Sequence, residues 1–125
     1  MNKQKIATAE APAAIGPYSQ GIAEGALVFV SGQIPLDAVG KLAGPGIVEQ
    51  TGQCLKNLAA VLKAAGLGME NVVKTTVFMT NLGEFASFNE EYAKHFTAPY
   101  PARATVEVRA LPKGVSIEIE AVAVR

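Results

Sequence analysis

Two short runs near the carboxyl end constrain the fold more than any other part of this sequence. Pro101-Ala102-Arg103-Ala104-Thr105-Val106-Glu107-Val108 and Val115-Ser116-Ile117-Glu118-Ile119-Glu120-Ala121-Val122 both alternate, and a Leu111-Pro112-Lys113-Gly114 turn separates them. Successive side chains of a strand point to opposite faces. Ala104, Val106 and Val108 therefore share one face and Arg103, Thr105 and Glu107 the other; Ile117, Ile119 and Ala121 oppose Ser116, Glu118 and Glu120. The pair reads as a hairpin with one apolar face and one rich in charge. Antiparallel sheets often leave such a polar face to water, so Arg103 and Glu118 are either surface residues or the lining of a site.

The strongest helical pattern lies upstream. Ile47, Thr51, Cys54, Leu55, Leu58, Val61, Leu62 and Ala65 recur at the spacing of one helix face, Glu49 suits the first turn, and Gly66 stands where a left-handed cap ends a helix. Cys54 falls on that stripe and reads as a small buried hydrophobe rather than a catalytic thiol. A second helix is predicted from Asn81 and Glu84, a capping-box-like start, through Phe85, Phe88, Tyr92 and Phe96, with Pro99 and Pro101 ending it. His95 and Asn89 border its aromatic stripe; His95 has no second ligand or nucleophile at a matching spacing, and Asn89 reads as a helix surface amide.

Residues 7–17, rich in Ala and Pro, predict an irregular lead-in, and residues 36–46 a turn-rich connector or loose hairpin. Leu27-Val28-Phe29-Val30 and Val72-Val73-Lys74-Thr75-Thr76-Val77-Phe78-Met79 read as strands apolar on both faces, with Leu27 and Phe29 opposite Val28 and Val30, and Val73, Val77 and Met79 opposite Val72 and Phe78. An extra strand is expected near the start. The order predicts an α+β protein, one mixed sheet with two helices on one face. The other face then needs a cover, and self-association is the economical source.

The 125 residues fit a single domain, 1–125. Lys+Arg and Asp+Glu are equal at 11 each and no basic run exists, which argues against a dedicated nucleic-acid partner. One Cys and one His cannot supply a disulfide or an ordinary zinc site. The amino-terminal Met1-Asn2-Lys3-Gln4-Lys5 carries charge with no apolar run after it, and no stretch reaches the roughly 18 residues of a membrane span. A soluble, cytoplasmic protein is expected.

Four blocks now resemble a known family. Ala14-Ile15-Gly16-Pro17-Tyr18-Ser19-Gln20, Val30-Ser31-Gly32-Gln33-Ile34-Pro35, Val73-Lys74-Thr75-Thr76-Val77-Phe78, and Pro101-Ala102-Arg103 through Ile117-Glu118-Ile119-Glu120-Ala121 are similar, in order, to the RidA (YjgF) family of reactive intermediate imine deaminases. The resemblance implies a chorismate-mutase-like α+β fold and a homotrimer whose sheets form a central barrel, with sites in the clefts between subunits. It implies hydrolysis of 2-imino acids, such as 2-iminopropanoate and 2-iminobutanoate, to 2-oxo acids and ammonia. These imines derive from enamines released by pyridoxal-phosphate-dependent dehydratases. No metal or organic cofactor is implied.

On that resemblance Arg103 matches the carboxylate-binding arginine, whose planar fork suits two parallel charge-assisted bonds. Glu118 matches the glutamate that orients or activates water. Tyr18, Ser31, Gly32 and Asn89 match pocket-lining positions that hydrogen-bond substrate and water. Thr105 stands where many relatives carry Cys, and its expected role runs through backbone groups. Two other readings stay open: an endoribonuclease or translation inhibitor, and a non-enzymatic ligand-binding or chaperone-like trimer.

Overall fold

The helical spacing from Ile47 becomes α1 (Ile47–Ala64), and Gly66 takes φ 78 just past its end. Because an L side chain rarely adopts that backbone region, glycine is the residue that lets the chain turn there. The Gly46 N–H donates to Glu49 Oε2 at 3.0 Å, closing the first turn as expected for an acid near a helix start. Ile47, Cys54, Leu55, Leu58, Val61 and Leu62 are buried, so the stripe faces the core. Burial also pushes the Cys54 thiol up, in keeping with its reading as a hydrophobe.

The computed structural model describes residues 2–125, and Met1 of the amino-terminal run lies outside them. Besides α1, its elements are β1 (Gln4–Ile6), β2 (Gly21–Glu24), β3 (Leu27–Gln33), β4 (Val72–Met79), α2 (Phe85–Ala93), β5 (Ala102–Glu107) and β6 (Ile117–Val124). They make one mixed six-stranded sheet in the order β1-β2-β3-β6-β4-β5, in which only β4 and β5 run parallel. Residues 7–17 form no helix or strand. In the 36–46 connector a single bridge joins Leu36 to Leu42, and Asp37 Oδ1 accepts from the Val39 and Lys41 N–H groups.

Three expectations change. The carboxyl-terminal strands are not a hairpin, because β4 lies between β5 and β6. A bulge between Val72 and Lys74 in the β4–β6 ladder shifts the alternation by one residue, so buried Val72 joins Val77 and Met79 on the helix side while Val73 turns out, 47% exposed. Helix α2 ends at Ala93, before Phe96 and well before Pro99; its aromatic stripe nevertheless continues, since Phe88, Tyr92 and Phe96 are all buried.

Both helices cover one face of the sheet. Cys54 on α1 reaches the Ile117 carbonyl of β6, and Tyr92 on α2 bonds Thr75 of β4 at 2.7 Å. Alternation then places Ile117, Ile119, Ala121 and Ala123 in the core. Opposite them, Leu27, Phe29 and Val106 stand exposed on a face that none of the described elements covers.

Candidate functional site

The strand insertion reverses the meaning of the polar faces. Arg103 pairs with Thr75 and Thr105 with Val77, both buried on the helix side, so Arg103 and Thr105 point toward α2. Glu118 pairs with Phe78, on the opposite side of β4, so Glu118 points to the helix-free face. About two strand spacings across and three residues along separate the two backbones, roughly 10 Å each way. One chain therefore does not bring Arg103 and Glu118 together, and the seven predicted residues divide into two groups.

The first group lies between α2 and β5. Asn89, Tyr92, Ala93, Tyr100, Pro101 and Arg103 line an open cleft. The Arg103 guanidinium carbon lies 4.9 Å from the Tyr92 ring centre, 5.2 Å from that of Phe88 and 5.4 Å from that of Phe85. Among the described residues it joins none of the ion pairs, which are Lys63–Glu10, Lys94–Glu91 and His95–Glu91. Thr105, two residues on, has a buried hydroxyl oxygen without a hydrogen-bond partner. Glu107, on the same strand face, accepts from the Leu82 N–H at 2.9 Å and so tethers the turn that precedes α2.

The second group gathers around the end of β3. Between Val30 and Gln33 the ladder to β6 gains a bulge, and Gly32 sits in it. The bulge carries the backbone against Glu118: a Cβ built at Gly32 would fall 2.0 Å from Glu118 Oε2. Ser31 Oγ donates to the Ser19 carbonyl at 2.6 Å and the Ser31 N–H to the Gln20 carbonyl at 2.9 Å, which ties down the loop bearing Tyr18. Buried Gln20 completes the tether, its amide donating to the Thr8 and Pro12 carbonyls while its oxygen accepts from the Thr8 N–H. Tyr18 and Gly32 line one cleft with Gln33, Ile34 and Lys113. Tyr18 itself is exposed, and its hydroxyl accepts only a long 3.4 Å bond from the Ile15 N–H.

Partial burial, reinforced by the Glu120 charge nearby, holds the Glu118 carboxyl above the usual carboxylate range. A half-buried carboxylate of raised pKa is a better proton acceptor than a fully solvated one. Alternation placed Glu118 and Glu120 on one strand face, and the family resemblance gave a role to Glu118 alone. Phe85, Phe88 and Tyr92 read as a core stripe, though their i, i+3, i+7 spacing was the signal for a platform under Arg103. Among the described residues no three His, Cys, Asp or Glu side chains come together to hold a metal ion, and no helix is long and apolar enough to cross a membrane.

The chain as a whole has close counterparts. Residues 8–125 match the family model described as Endoribonuclease L-PSP. A RutC family protein from Sinorhizobium fredii is 55% identical over 120 residues, 95% of each chain. The human 2-iminobutanoate/2-iminopropanoate deaminase is 48% identical over 124 residues, covering 98% of this chain and 90% of that one. Among solved structures, RidA from an Antarctic Psychrobacter superposes with a TM-score of 0.94 at 42% identity, over 98% of this chain and 99% of its own. The sheet-and-two-helix architecture is thus that of the solved RidA structures. The chain belongs to the RidA (YjgF, L-PSP) family.

Proposed function

We propose that this protein hydrolyses 2-imino acids, among them 2-iminopropanoate and 2-iminobutanoate, to the 2-oxo acid and ammonia. The relatives named as deaminases of these imines support the reaction. What supports the assignment of roles is the placement of Arg103, a guanidinium in an open cleft with no acidic partner among the described residues. Arg103 binds the substrate carboxylate through its fork, and Glu118 handles the water.

The reaction needs little else. The water oxygen bonds to C2 as the C=N pair moves onto nitrogen, while Glu118 takes a proton from the water and passes it to that nitrogen. The carbinolamine then collapses: Glu118 takes its hydroxyl proton as the oxygen forms the carbonyl and the C–N bond breaks, and that proton passes to the departing nitrogen, which leaves as ammonia. Asn89 and Tyr18 hydrogen-bond the substrate and its water, as do the Gly32 backbone groups; Ser31, whose N–H and hydroxyl are held by the Gln20 and Ser19 carbonyls, fixes that loop, and Thr105 acts through its backbone groups. No cofactor takes part.

Because the two groups lie on opposite faces, a site holding both is built from two copies. The exposed Leu27, Phe29 and Val106 offer the surface over which copies pack, and the assembly we propose is a homotrimer with its sheets inward. Generating 2-imino acids in situ with an amino-acid oxidase tests the reaction. The protein is expected to speed their conversion to 2-oxo acids; no acceleration across several side chains would sink the proposal.

A further inference from the structure

An arginine that must hold an incoming carboxylate faces a conflict. Left in water it is mobile; paired with Asp or Glu it is fixed, but the fork is then already occupied. Arg103 avoids both. Three aromatic rings approach its guanidinium carbon at 4.9, 5.2 and 5.4 Å, which stabilises the cation through the ring faces while consuming no N–H donor.

The nearest ring is held both by packing and by a hydrogen bond. Tyr92 packs against Phe88 at 5.3 Å and Phe96 at 4.7 Å between ring centres, and its hydroxyl bonds the Thr75 hydroxyl at 2.7 Å. Thr75 is wholly buried and is the residue paired with Arg103 across the β4–β5 ladder. The same register that sets the Arg103 backbone therefore fixes the ring beneath its guanidinium.

We infer that Tyr92, anchored by Thr75, is the positioning residue for Arg103. Together with Phe85 and Phe88 it forms an aromatic cradle that replaces an acidic counter-ion and reserves the guanidinium donors for a carboxylate ligand. The kinetic consequence rests on the deaminase reading; the geometry does not. The cradle acts on carboxylate binding, which is equally present in ground and transition states, so its loss raises KM and leaves kcat in place.

Phe85→Leu is the decisive variant, because Phe85 is 38% exposed and its ring can be removed without opening the core. In the full-length assembled protein it is expected to raise KM, and the dissociation constant of the probe 2-oxobutanoate, by about threefold, with kcat retained and Phe85→Tyr restoring both. Tyr92→Phe keeps the ring but cuts the tether, and a smaller KM rise in the same direction is expected. A merely structural role would lower active fraction and hence apparent kcat, not KM.

A second readout does not depend on turnover. Ring faces shift a proton lying over them upfield, so the Arg103 Nε–H resonance of the wild type is expected upfield of those of Arg109 and Arg125, and to move back in Phe85→Leu. An unshifted resonance in the wild type overturns the cradle, as does an unchanged KM in Phe85→Leu. Wild-type protein that shows the shift but no turnover would overturn the deaminase reading and leave the cradle standing.

Discussion

Gly32→Ala separates the chemistry of Glu118 from the fold that carries it. The new Cβ would lie 2.0 Å from Glu118 Oε2 and 2.9 Å from its carboxyl carbon, so to reach an ordinary 3.4 Å contact the oxygen must retreat about 1.4 Å. The obstructing atoms end a flexible side chain, and the change costs on the order of 1 kcal/mol in rotamer strain, a few degrees of melting temperature for a chain of this size. A carboxylate displaced by more than about 1 Å from its water is a different matter, since misplacement on that scale costs roughly 100-fold in rate. Gly32→Ala is therefore expected to lower kcat by about 100-fold while 2-oxobutanoate still binds at Arg103. The oxidase-coupled assay reads the rate, and a thermal melt with a 2-oxobutanoate titration reads the fold and the clamp. A folded Gly32→Ala variant turning over at the wild-type rate would remove Glu118 from the reaction.

Arg103→Lys keeps the charge but loses the parallel bonds, and should lower kcat/KM by roughly 10- to 100-fold, with the melt near that of the wild type. The raised Glu118 carboxyl makes two pH predictions. Water activation needs the ionised form, so kcat/KM falls as pH drops through a pKa above the ordinary 4.5, and Glu120→Gln, which removes one raising charge, should move that limb to lower pH. For stability the sign is opposite: a carboxyl raised in the folded state favours folding below its unfolded pKa, and that contribution is lost as pH rises through the folded one. Glu118→Gln should thus abolish turnover yet melt higher than wild type at neutral pH, the advantage vanishing below about pH 4.5. Tyr92→Phe strands the buried Thr75 hydroxyl and should cost about 1–3 kcal/mol in urea unfolding, much of it regained when Thr75→Val is added, so that a double-mutant cycle with no coupling would refute the bond.

Much of the local structure was legible in order of residues alone. The Ile47–Ala64 helix and its Gly66 stop follow from a stripe and a cap, both of which act over a few residues. Asn81 starts the second helical region as expected, its side chain accepting from the Gly83 N–H, though the chain makes a short 3-10 turn at Leu82–Glu84 before α2 begins. Gly32 was legible as a residue that frees the backbone at the end of its strand and as a match to a pocket-lining position; what the sequence could not convey is that it sits in a bulge against a carboxylate 86 positions away. The bulges in β3 and β4 were equally invisible, because an extra residue in one strand is defined by its partner. Val73 and Val72 therefore exchanged faces relative to the simple alternation.

The sequence by itself determined which residues of each strand share a side: Arg103 with Thr105 and Glu107, Glu118 with Glu120, Ile117 with Ile119 and Ala121. That period of two is built into the backbone of a single strand. Only the tertiary structure decided which side of the sheet each set occupies, because that phase depends on which strands pair and in what register. With β4 inserted between β5 and β6, the Arg103 side turns to the helices and the Glu118 side turns away from them. The Ala104 and Val106 side of β5, apolar and in isolation a core face by its pattern, is exposed for the same reason. Two charges that alternation placed on like faces of one hairpin thus stand back to back across the sheet.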